Sequence, residues 1–291
     1  MADDDAGESP PPRRDWVNTL ATIAAPTTFI GALLLYFGVS YTSAFYNYFG
    51  VDSATLGFST QDYALRSASA LYLPVATALL VALVGTLIYY AAVAVGKRDT
   101  PPPFAIRLFP AALAACGGGL FLLGMLGGFG VWGAGAMQTP LLLSAGLVVL
   151  LYSRVLSFKL AAADYPVARE KAAVALVLAL VALASFWAAH EYAKSHGFDD
   201  AEYLAAHLRL RPTVTIDTTE RLYIPHSQVR ETILPATAGT GQRFRFRYEG
   251  LRLLAEQKGR MFLIPENWSL SDGSVVVLPA NSTVRVAFRS G

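Results

Sequence analysis

Three residues near the end of the last long apolar stretch have side chains that could bind a metal: His190, Glu191 and His196. Zinc metalloproteases place two histidines four positions apart on one helical face, with a glutamate directly after the first histidine as general base. In this chain the second histidine follows the glutamate by five positions, so the two imidazoles do not share a face. We interpret these residues as a water-facing helix end and predict no metal site.

Other patterns typical of catalysis are missing from the sequence. There is no Gly-x-Ser-x-Gly nucleophile elbow whose serine could form a Ser-His-Asp triad with His207 or His226. There is also no Walker phosphate loop, and no Gly-x-Gly-x-x-Gly between a strand and a helix. Cys116 is the only cysteine and lies in an apolar stretch, so it forms no intramolecular disulfide and is expected to be inert. We predict that the protein is not an enzyme and binds no cofactor.

Small and hydroxyl-bearing side chains recur every three or four residues along the first apolar stretch, at Asn18, Thr22, Ala25, Thr28 and Ala32. Asn18, Thr22 and Thr28 are therefore candidates for lining a pore. The five apolar stretches carry no central charged residue or histidine, which argues against a proton-coupled carrier but not against a passive pore. The alternative is that this face only packs against a glycine-rich helix.

The composition indicates which elements position these residues. Hydrophobic residues make up 54% of the 291 positions and charged residues 15%, against about 25% charged in soluble proteins. Long apolar stretches without charges are typical of transmembrane helices, because about 20 residues cross the ~30 Å hydrocarbon core. The net charge of +2 is too small to indicate a nucleic-acid partner.

Five such stretches divide the chain into three parts. Residues 1–15 are acidic and proline-rich and are predicted to be a disordered tail. Residues 16–194 are predicted to form an α-helical transmembrane bundle, and residues 197–291 a small antiparallel β domain, either a sandwich or an open barrel. The predicted spans are 18–38, 70–96, 108–135, 140–156 and 172–189.

The orientation follows from the positive-inside rule, because lysine and arginine collect in short segments on one side of the predicted spans. That side is predicted to be cytoplasmic and to include the N-terminus. The β domain is then extracytoplasmic, and the protein is a multi-pass protein of the plasma membrane. The basic residues concerned are Arg13, Arg14, Lys97, Arg98, Arg107, Arg154, Lys159, Arg169 and Lys171.

The third span is rich in glycine. Gly124 and Gly128 form a Gly-x-x-x-Gly pair, which lets helix backbones approach closely in a bilayer. We therefore predict close helix packing at this span, and expect the lipid bilayer and further copies of the chain as partners.

The loop 39–69 joins the first two spans and is the segment that the rest of the chain is predicted to hold in place. Its aromatic residues recur at helical spacing, so we expect the first helix to continue out of the bilayer toward Gly50 and to lie at the membrane surface or in a crevice. The aromatic residues are Tyr41, Phe45, Tyr48 and Phe49.

The loop 39–69 contains three charged residues, Asp52, Asp62 and Arg66. Asp52 is predicted to be the N-cap of a short turn that ends near Gly57. Ser59 and Asp62 are predicted to begin the next helix. Asp62 and Arg66 stand four positions apart on that helix, so we expect them to pair.

The C-terminal part alternates apolar and polar residues, which is typical of short antiparallel strands. A possible short helix at Asp199–Leu208 precedes them. Turns are predicted at 258–259, 271–274 and 279–281, so that the strands form hairpins in series. The alternating apolar residues are Val214, Ile216, Leu222, Ile224, Phe244, Phe246, Tyr248, Leu251, Leu253, Phe262, Ile264, Val275, Val277, Val284, Val286 and Phe288.

Arg243, Arg245 and Arg247 alternate with apolar residues, so the three arginines are predicted to lie on one face of the sheet. This basic face could bind anionic lipid or a cell-wall polymer. The alternative is a solvated face that prevents edge-to-edge pairing of sheets, neutralised by Glu249 and Glu256.

Two segments, residues 45–67 (FYNYFGVDSATLGFSTQDYALRS) and residues 250–269 (GLRLLAEQKGRMFLIPENWS), resemble parts of multi-spanning membrane proteins of high-GC actinobacteria with a C-terminal extracytoplasmic β domain. The resemblance implies a bacterial plasma membrane. It implies no activity, ligand or site residue.

From these patterns we predict a homo-oligomeric pore or channel that passes ions, with the loop and the β domain as an extracellular cap. The alternative is a non-conducting sensor or scaffold, whose β domain binds an envelope component while the helices anchor it. A membrane enzyme would need a cluster of acids or histidines that the sequence lacks.

Overall fold

The structure is a computed structural model and describes residues 13–96, 104–133, 135–160, 167–224, 229–235, 242–271 and 273–289. Within these ranges the side chains of 13–26, 69, 92, 93, 95, 96, 104–107, 159, 160 and 167–170 are outside the description. The helices are α1 (Arg13–Tyr48), α2 (Ser53–Leu56), α3 (Thr60–Gly96), α4 (Phe104–Gly128), α5 (Gln138–Leu160) and α6 (Val167–Ala206), followed by a 3₁₀ turn (Leu208–Leu210). The strands are β1 (Thr213–Thr218), β2 (Arg230–Ile233), β3 (Phe246–Gln257), β4 (Arg260–Pro265), β5 (Val276–Pro279) and β6 (Val284–Arg289).

Five helices are long and apolar enough to cross a membrane, as the sequence predicts. Their lipid-length segments expose large apolar side chains on the surface of the chain, which is typical of a protein whose solvent is lipid. These features indicate a membrane protein. The five segments are Thr27–Tyr48, Ala70–Ala91, Leu108–Gly128, Gln138–Phe158 and Lys171–Ala206.

Three boundaries differ from the sequence prediction. Helix α1 already begins at Arg13, inside the predicted tail, while residues 1–12 lie outside the described part. Helix α4 ends at Gly128 instead of continuing to 135, because Gly130 adopts a left-handed φ of 71° and Val131 closes the end through a bond to the Leu126 carbonyl. The helix predicted at Asp199–Leu208 is the last part of the continuous α6, with a 3₁₀ turn after it.

Glycine sets the contact between α4 and α5. A Cβ added to Gly146 would lie 2.6 Å from the Phe121 nitrogen, and a Cβ on Gly117 would lie 2.9 Å from the Leu150 nitrogen. The backbones therefore touch, and dispersion contacts between them replace side-chain packing. The hydroxyl of Ser153 donates to the Pro110 carbonyl at 2.6 Å and adds one buried polar contact.

Helices α1 and α6 run parallel, while α3 crosses α1 in the opposite direction. A Cβ on Gly38 of α1 would overlap the backbone carbonyl of Tyr63, and one on Gly197 of α6 would overlap that of Tyr41. These two glycines fix the crossings at the end of the bundle that carries the sheet. Gly197 therefore lies inside a packed helix and not at a domain boundary.

The six described strands form one antiparallel sheet in the order β5-β4-β3-β1-β6. Strand β2 pairs with the first half of β3, on the side where β4 pairs with the second half. Strands β5 and β6 occupy opposite edges of the sheet and are connected by residues 280–283. The described strands therefore form a single open sheet and not a two-sheet sandwich.

The strands differ from the prediction in three places. Leu222 and Ile224 lie outside the strands and cover the sheet, β2 was not predicted, and Phe246–Gln257 is one strand with Gly250 at an irregularity instead of two. The turn at Lys258 and Gly259 is as predicted, with φ of 48° and 69° in a tight β3–β4 hairpin. Asp272 of the predicted 271–274 turn lies outside the described residues.

The two faces of the sheet are buried in different cores. One face is buried in a core formed by the C-terminal part of the chain, around Val214, Ile216, Tyr248, Leu251 and Leu263. The opposite face of β3 and β4 packs against the membrane helices. Strand β4 is consequently buried on both faces, which explains its run of apolar residues without alternation.

Candidate functional site

The contact between the helices and the sheet, which we call the junction, is a single buried cluster of thirteen residues. Six come from the end of α1 and the α2 region, three from the end of α6 and its 3₁₀ turn, and four from the sheet side. Nothing in the cluster is polar except the Tyr46 hydroxyl and the Trp268 nitrogen. Its members are Phe45, Tyr46, Phe49, Val51, Leu56, Phe58, Ala201, Leu204, Leu208, Leu254, Phe262, Ile264 and Trp268.

Aromatic rings provide most of the specific contacts in the junction. Phe49 meets Trp268 with ring centres 4.9 Å apart, and Tyr48 meets the same indole at 5.7 Å. Such tilted pairs add about 0.5–1.5 kcal/mol each beyond the area they bury. The helical spacing seen in the sequence thus places these rings against the sheet and not in lipid.

Local hydrogen bonds explain why residues 49–62 turn so sharply. The carboxylate of Asp52 accepts from the Ala54 N–H at 2.9 Å, and Gly57 ends α2 with a left-handed φ of 70°, both as predicted. Ser59 and Asp62 form a reciprocal cap of α3, in which the Ser59 N–H and hydroxyl donate to the carboxylate at 2.8 Å. These bonds from Ser59 hold the pKa of Asp62 below its usual range, with a smaller contribution from Arg66.

Basic side chains close the junction at its rim. The guanidinium of Arg66 lies 4.5 Å from the Phe58 ring centre and 5.6 Å from that of Tyr46, so its main described contacts are aromatic. On the sheet side, Arg260 donates to the Thr55 carbonyl of the loop.

The predicted basic face of the sheet is a cluster arranged around Asp217. The carboxylate is 5% exposed and accepts from Arg247 at 2.8 and 3.1 Å and from Arg285 at 3.0 Å. Asp217 faces both arginines directly across the sheet, one on β3 and one on β6. Hydrogen bonds from Arg247, and then from Arg285, hold the pKa of Asp217 below its ordinary value against the opposing effect of burial.

The three arginines predicted for this face have different surroundings. Arg247 is 36% exposed and bound to Asp217. Arg245 is exposed, and Arg243 is exposed with its guanidinium 3.4 Å from the Ser282 hydroxyl. Arg243 and Arg245 precede β3, so only Arg247 lies within a strand. The acid that neutralises this face is Asp217, whereas Glu249 and Glu256 were expected.

His190, Glu191 and His196 point to three different places. His190 Nδ1 lies 3.2 Å from both the Tyr36 and the Ser40 hydroxyl, while Glu191 pairs with Lys194 at 3.5 Å. His196 lies 3.8 Å from Asp200, which also accepts a 2.7 Å bond from Tyr41. Within the described part of the chain, no group of three metal-ligating residues comes together.

The pore-lining candidates are described only in part. Thr28 is exposed on the outer surface of α1. The side chains of Asn18 and Thr22 lie outside the described residues. That Asn18, Thr22 and Thr28 line a path between several copies of the chain stays a prediction. Lys97, Arg98 and His226 also lie outside the described residues.

The two glycines of the Gly-x-x-x-Gly pair differ in how closely they approach α5. A Cβ on Gly124 would lie 2.9 Å from the Leu143 nitrogen, whereas one on Gly128 would meet only a Thr139 methyl group at an ordinary 3.7 Å. The close pair on α4 is therefore Gly117 and Gly124, and their partner is α5 of the same chain. Cys116 is exposed on α4.

The cavities between the described helices include one with a mainly apolar lining and one with a partly polar lining. One of about 780 Å³ opens between α1, α3 and α6 and is lined mainly by apolar side chains. The other, of about 590 Å³, lies between the α4–α5 link, α1 and α6, and includes Gln138, Glu191 and Lys194. The Glu191–Lys194 ion pair is part of the lining of the smaller one.

Comparison of the chain with models of known protein families, with curated proteins and with solved structures finds no match. Segments 45–67 and 250–269 are the ones that meet in the junction. Sequence reasoning singled out both segments, but gave no indication that they touch.

Proposed function

We propose that the protein is a non-conducting scaffold or sensor of a bacterial plasma membrane, whose helices hold the β-sheet in a fixed position to bind an envelope component. The junction is the observation that carries this proposal. Only residues 207–212 connect α6 to β1, and Leu208 among them is buried in the junction. The sheet is thus packed onto the helices through one face of β3 and β4, and does not hang from a free linker.

The orientation of the scaffold rests on the distribution of charge. The sheet lies at the end of the bundle where α1 ends and α3 begins. In the sequence, lysine and arginine collect at the start of α1, around the connection of α3 to α4 and around the connection of α5 to α6, whereas the 39–69 loop on the sheet side carries one arginine, Arg66. The positive-inside rule therefore supports a cytoplasmic N-terminus and an extracytoplasmic sheet.

The surface best suited to binding is the arginine cluster around Asp217. Because Asp217 engages both guanidiniums, Arg247 and Arg285 are held in place before any ligand arrives, which reduces the entropy that binding costs. Arg245 and Arg289 are exposed on either side of this pair: Arg245 directly precedes β3, and Arg289 lies four residues beyond Arg285 at the end of β6. Guanidinium groups in this arrangement suit phosphate or carboxylate groups of an anionic polymer.

Sedimentation with purified cell-wall sacculi of an actinobacterium tests the binding surface. The full chain in nanodiscs should sediment with the sacculi, and Arg245→Gln with Arg289→Gln should reduce the bound fraction at least fivefold without disturbing Asp217. Arg209→Gln, an exposed arginine of the 3₁₀ turn, is the matched control and should bind as the unmodified chain does. Equal binding of both variants contradicts the proposed surface.

Ion flux into liposomes distinguishes the scaffold from the homo-oligomeric pore predicted above. The scaffold predicts no flux beyond that of protein-free liposomes, and no effect of Thr28→Leu. Flux that depends on the protein and is lowered by Thr28→Leu contradicts the scaffold and supports the pore.

A further inference from the structure

The larger cavity is a lateral groove within the membrane-spanning part of the chain. It lies between residues 29–37 of α1, 68–79 of α3 and 182–189 of α6. Its volume of about 780 Å³ is in the range of about 300–1,000 Å³ that ligand sites occupy. Phe29 and Val75 on its walls are exposed within predicted spans, so the groove opens toward lipid.

The groove has the length of one bilayer leaflet. Its wall on α3 covers eleven helical steps, which corresponds to about 16 Å at 1.5 Å per residue. The hydrocarbon core is about 30 Å thick, so the groove extends through about half of it. Because α3 enters the membrane from the sheet side, the groove belongs to the leaflet on that side.

Three polar side chains stand at the sheet-side end of the groove. The Tyr36 and Ser40 hydroxyls each lie 3.2 Å from Nδ1 of His190, and the Tyr36 ring packs 5.0 Å from that of Phe186, which lines the groove. Hydroxyl and imidazole groups at this depth can hydrogen-bond to the ester and phosphate oxygens of a lipid. We call these three residues the polar trio.

We propose that the groove binds one acyl chain of a phospholipid from the leaflet on the sheet side, with the lipid headgroup at the polar trio. The apolar walls exclude a polar ligand, because a polar group there would lose its hydrogen bonds to water without replacement. The length matches an acyl chain in one leaflet, and the hydrogen-bonded polar trio lies at the end where a headgroup would lie. Along the groove itself, Tyr72 and Ser185 are the polar side chains among the lining residues. This inference does not depend on the proposed scaffold function.

Native mass spectrometry of the full chain released from detergent tests the site, with dipalmitoyl phosphatidylglycerol as the probe. The unmodified chain should retain one lipid at collision energies that remove the others. Ala78→Phe with Ala182→Phe fills the groove from two walls and should reduce the retained fraction at least tenfold. Ala112→Phe on the exposed side of α4 is the control and should retain the lipid.

Three results would overturn the proposal. If the unmodified chain retained no lipid, the proposal would be overturned even if the groove variant failed to fold. Equal retention by the groove variant and the control would place the lipid elsewhere. A dimer that the groove variant dissociates would show that a second copy occupies the groove.

The headgroup is tested separately with palmitic acid. The unmodified chain should retain phosphatidylglycerol more strongly than palmitic acid, and Ser40→Ala with His190→Ala should remove this preference while palmitic acid is retained as before. Equal retention of both probes by the unmodified chain contradicts a role of the polar trio.

Discussion

Helices α4 and α5 pack through glycine, whereas α1 and α6 meet the sheet through large aromatic side chains. Between α4 and α5, Gly117, Gly124 and Gly146 bring backbones into contact, and added atoms would have no space. In the junction, rings such as Phe49 and Trp268 fill the space between elements that are far apart in sequence. In lipid there is no hydrophobic force to gather large side chains, so close backbone contact is needed. In the junction, water is excluded and apolar area itself stabilises the contact.

This comparison predicts that removing atoms damages the junction most. Phe262→Ala should lower the free energy of unfolding by about 3–5 kcal/mol, because Phe262 is 2% exposed at the centre of the cluster. Phe288→Ala on β6, where half of the side chain is exposed, is the matched control and should cost less than about 1 kcal/mol. Denaturant unfolding followed by tryptophan fluorescence measures both. Equal losses would mean that the junction is not a packed core.

The arginine cluster around Asp217 stabilises the same sheet electrostatically. Its expected contribution to the free energy of unfolding is smaller than that of the junction. Asp217→Asn should cost about 1.5–3 kcal/mol near neutral pH, since it weakens charge-assisted bonds to two arginines that remain partly in water. The pKa of Asp217 is lowered on folding, so its contribution is present above the unfolded value of about 3.9 and is lost as pH falls through the folded value.

A pH series therefore checks that assignment. The unmodified chain should lose stability more steeply below about pH 4 than Asp217→Asn does, so that the two curves converge in acid. Parallel curves over the whole range would contradict a charged Asp217 in the folded sheet.

Adding atoms should damage the glycine contact. Gly146→Ala places a methyl group 2.6 Å from the Phe121 nitrogen and should cost about 1–3 kcal/mol. Gly119→Ala on the same helix pair meets open space and should stabilise the chain by up to about 1 kcal/mol through helix propensity. Thermal unfolding in detergent measures the pair. Stabilisation by both substitutions would show that α4 and α5 do not touch there.

Local patterns predicted local structure well. The five apolar helices, the Asp52 cap with Gly57, and the Ser59–Asp62 cap all depend on residues within a few positions of one another. The continuation of α6 past Gly197 was missed, because the glycine looked like a boundary but is required for contact with α1.

Contacts between distant segments were not predictable in this way. Asp217 lies 30 residues from Arg247 and 68 from Arg285, and Arg260 reaches a carbonyl 205 residues away. No spacing rule relates such positions, because strand order and register decide them. The alternation of Arg243, Arg245 and Arg247 indicated a basic face, but a buried acid on another strand was needed to show which of these arginines is fixed.

The distance between the helices and the sheet tests the central claim most directly. Spin labels at Phe129→Cys on the link after α4 and Ile233→Cys on β2, both exposed, can be placed in a Cys116→Ser background. Pulsed electron–electron double resonance in nanodiscs should give one narrow distance distribution, which Phe262→Ala broadens and Phe288→Ala leaves unchanged. A broad distribution in the chain with an intact junction would contradict a scaffold that holds the sheet in a fixed position.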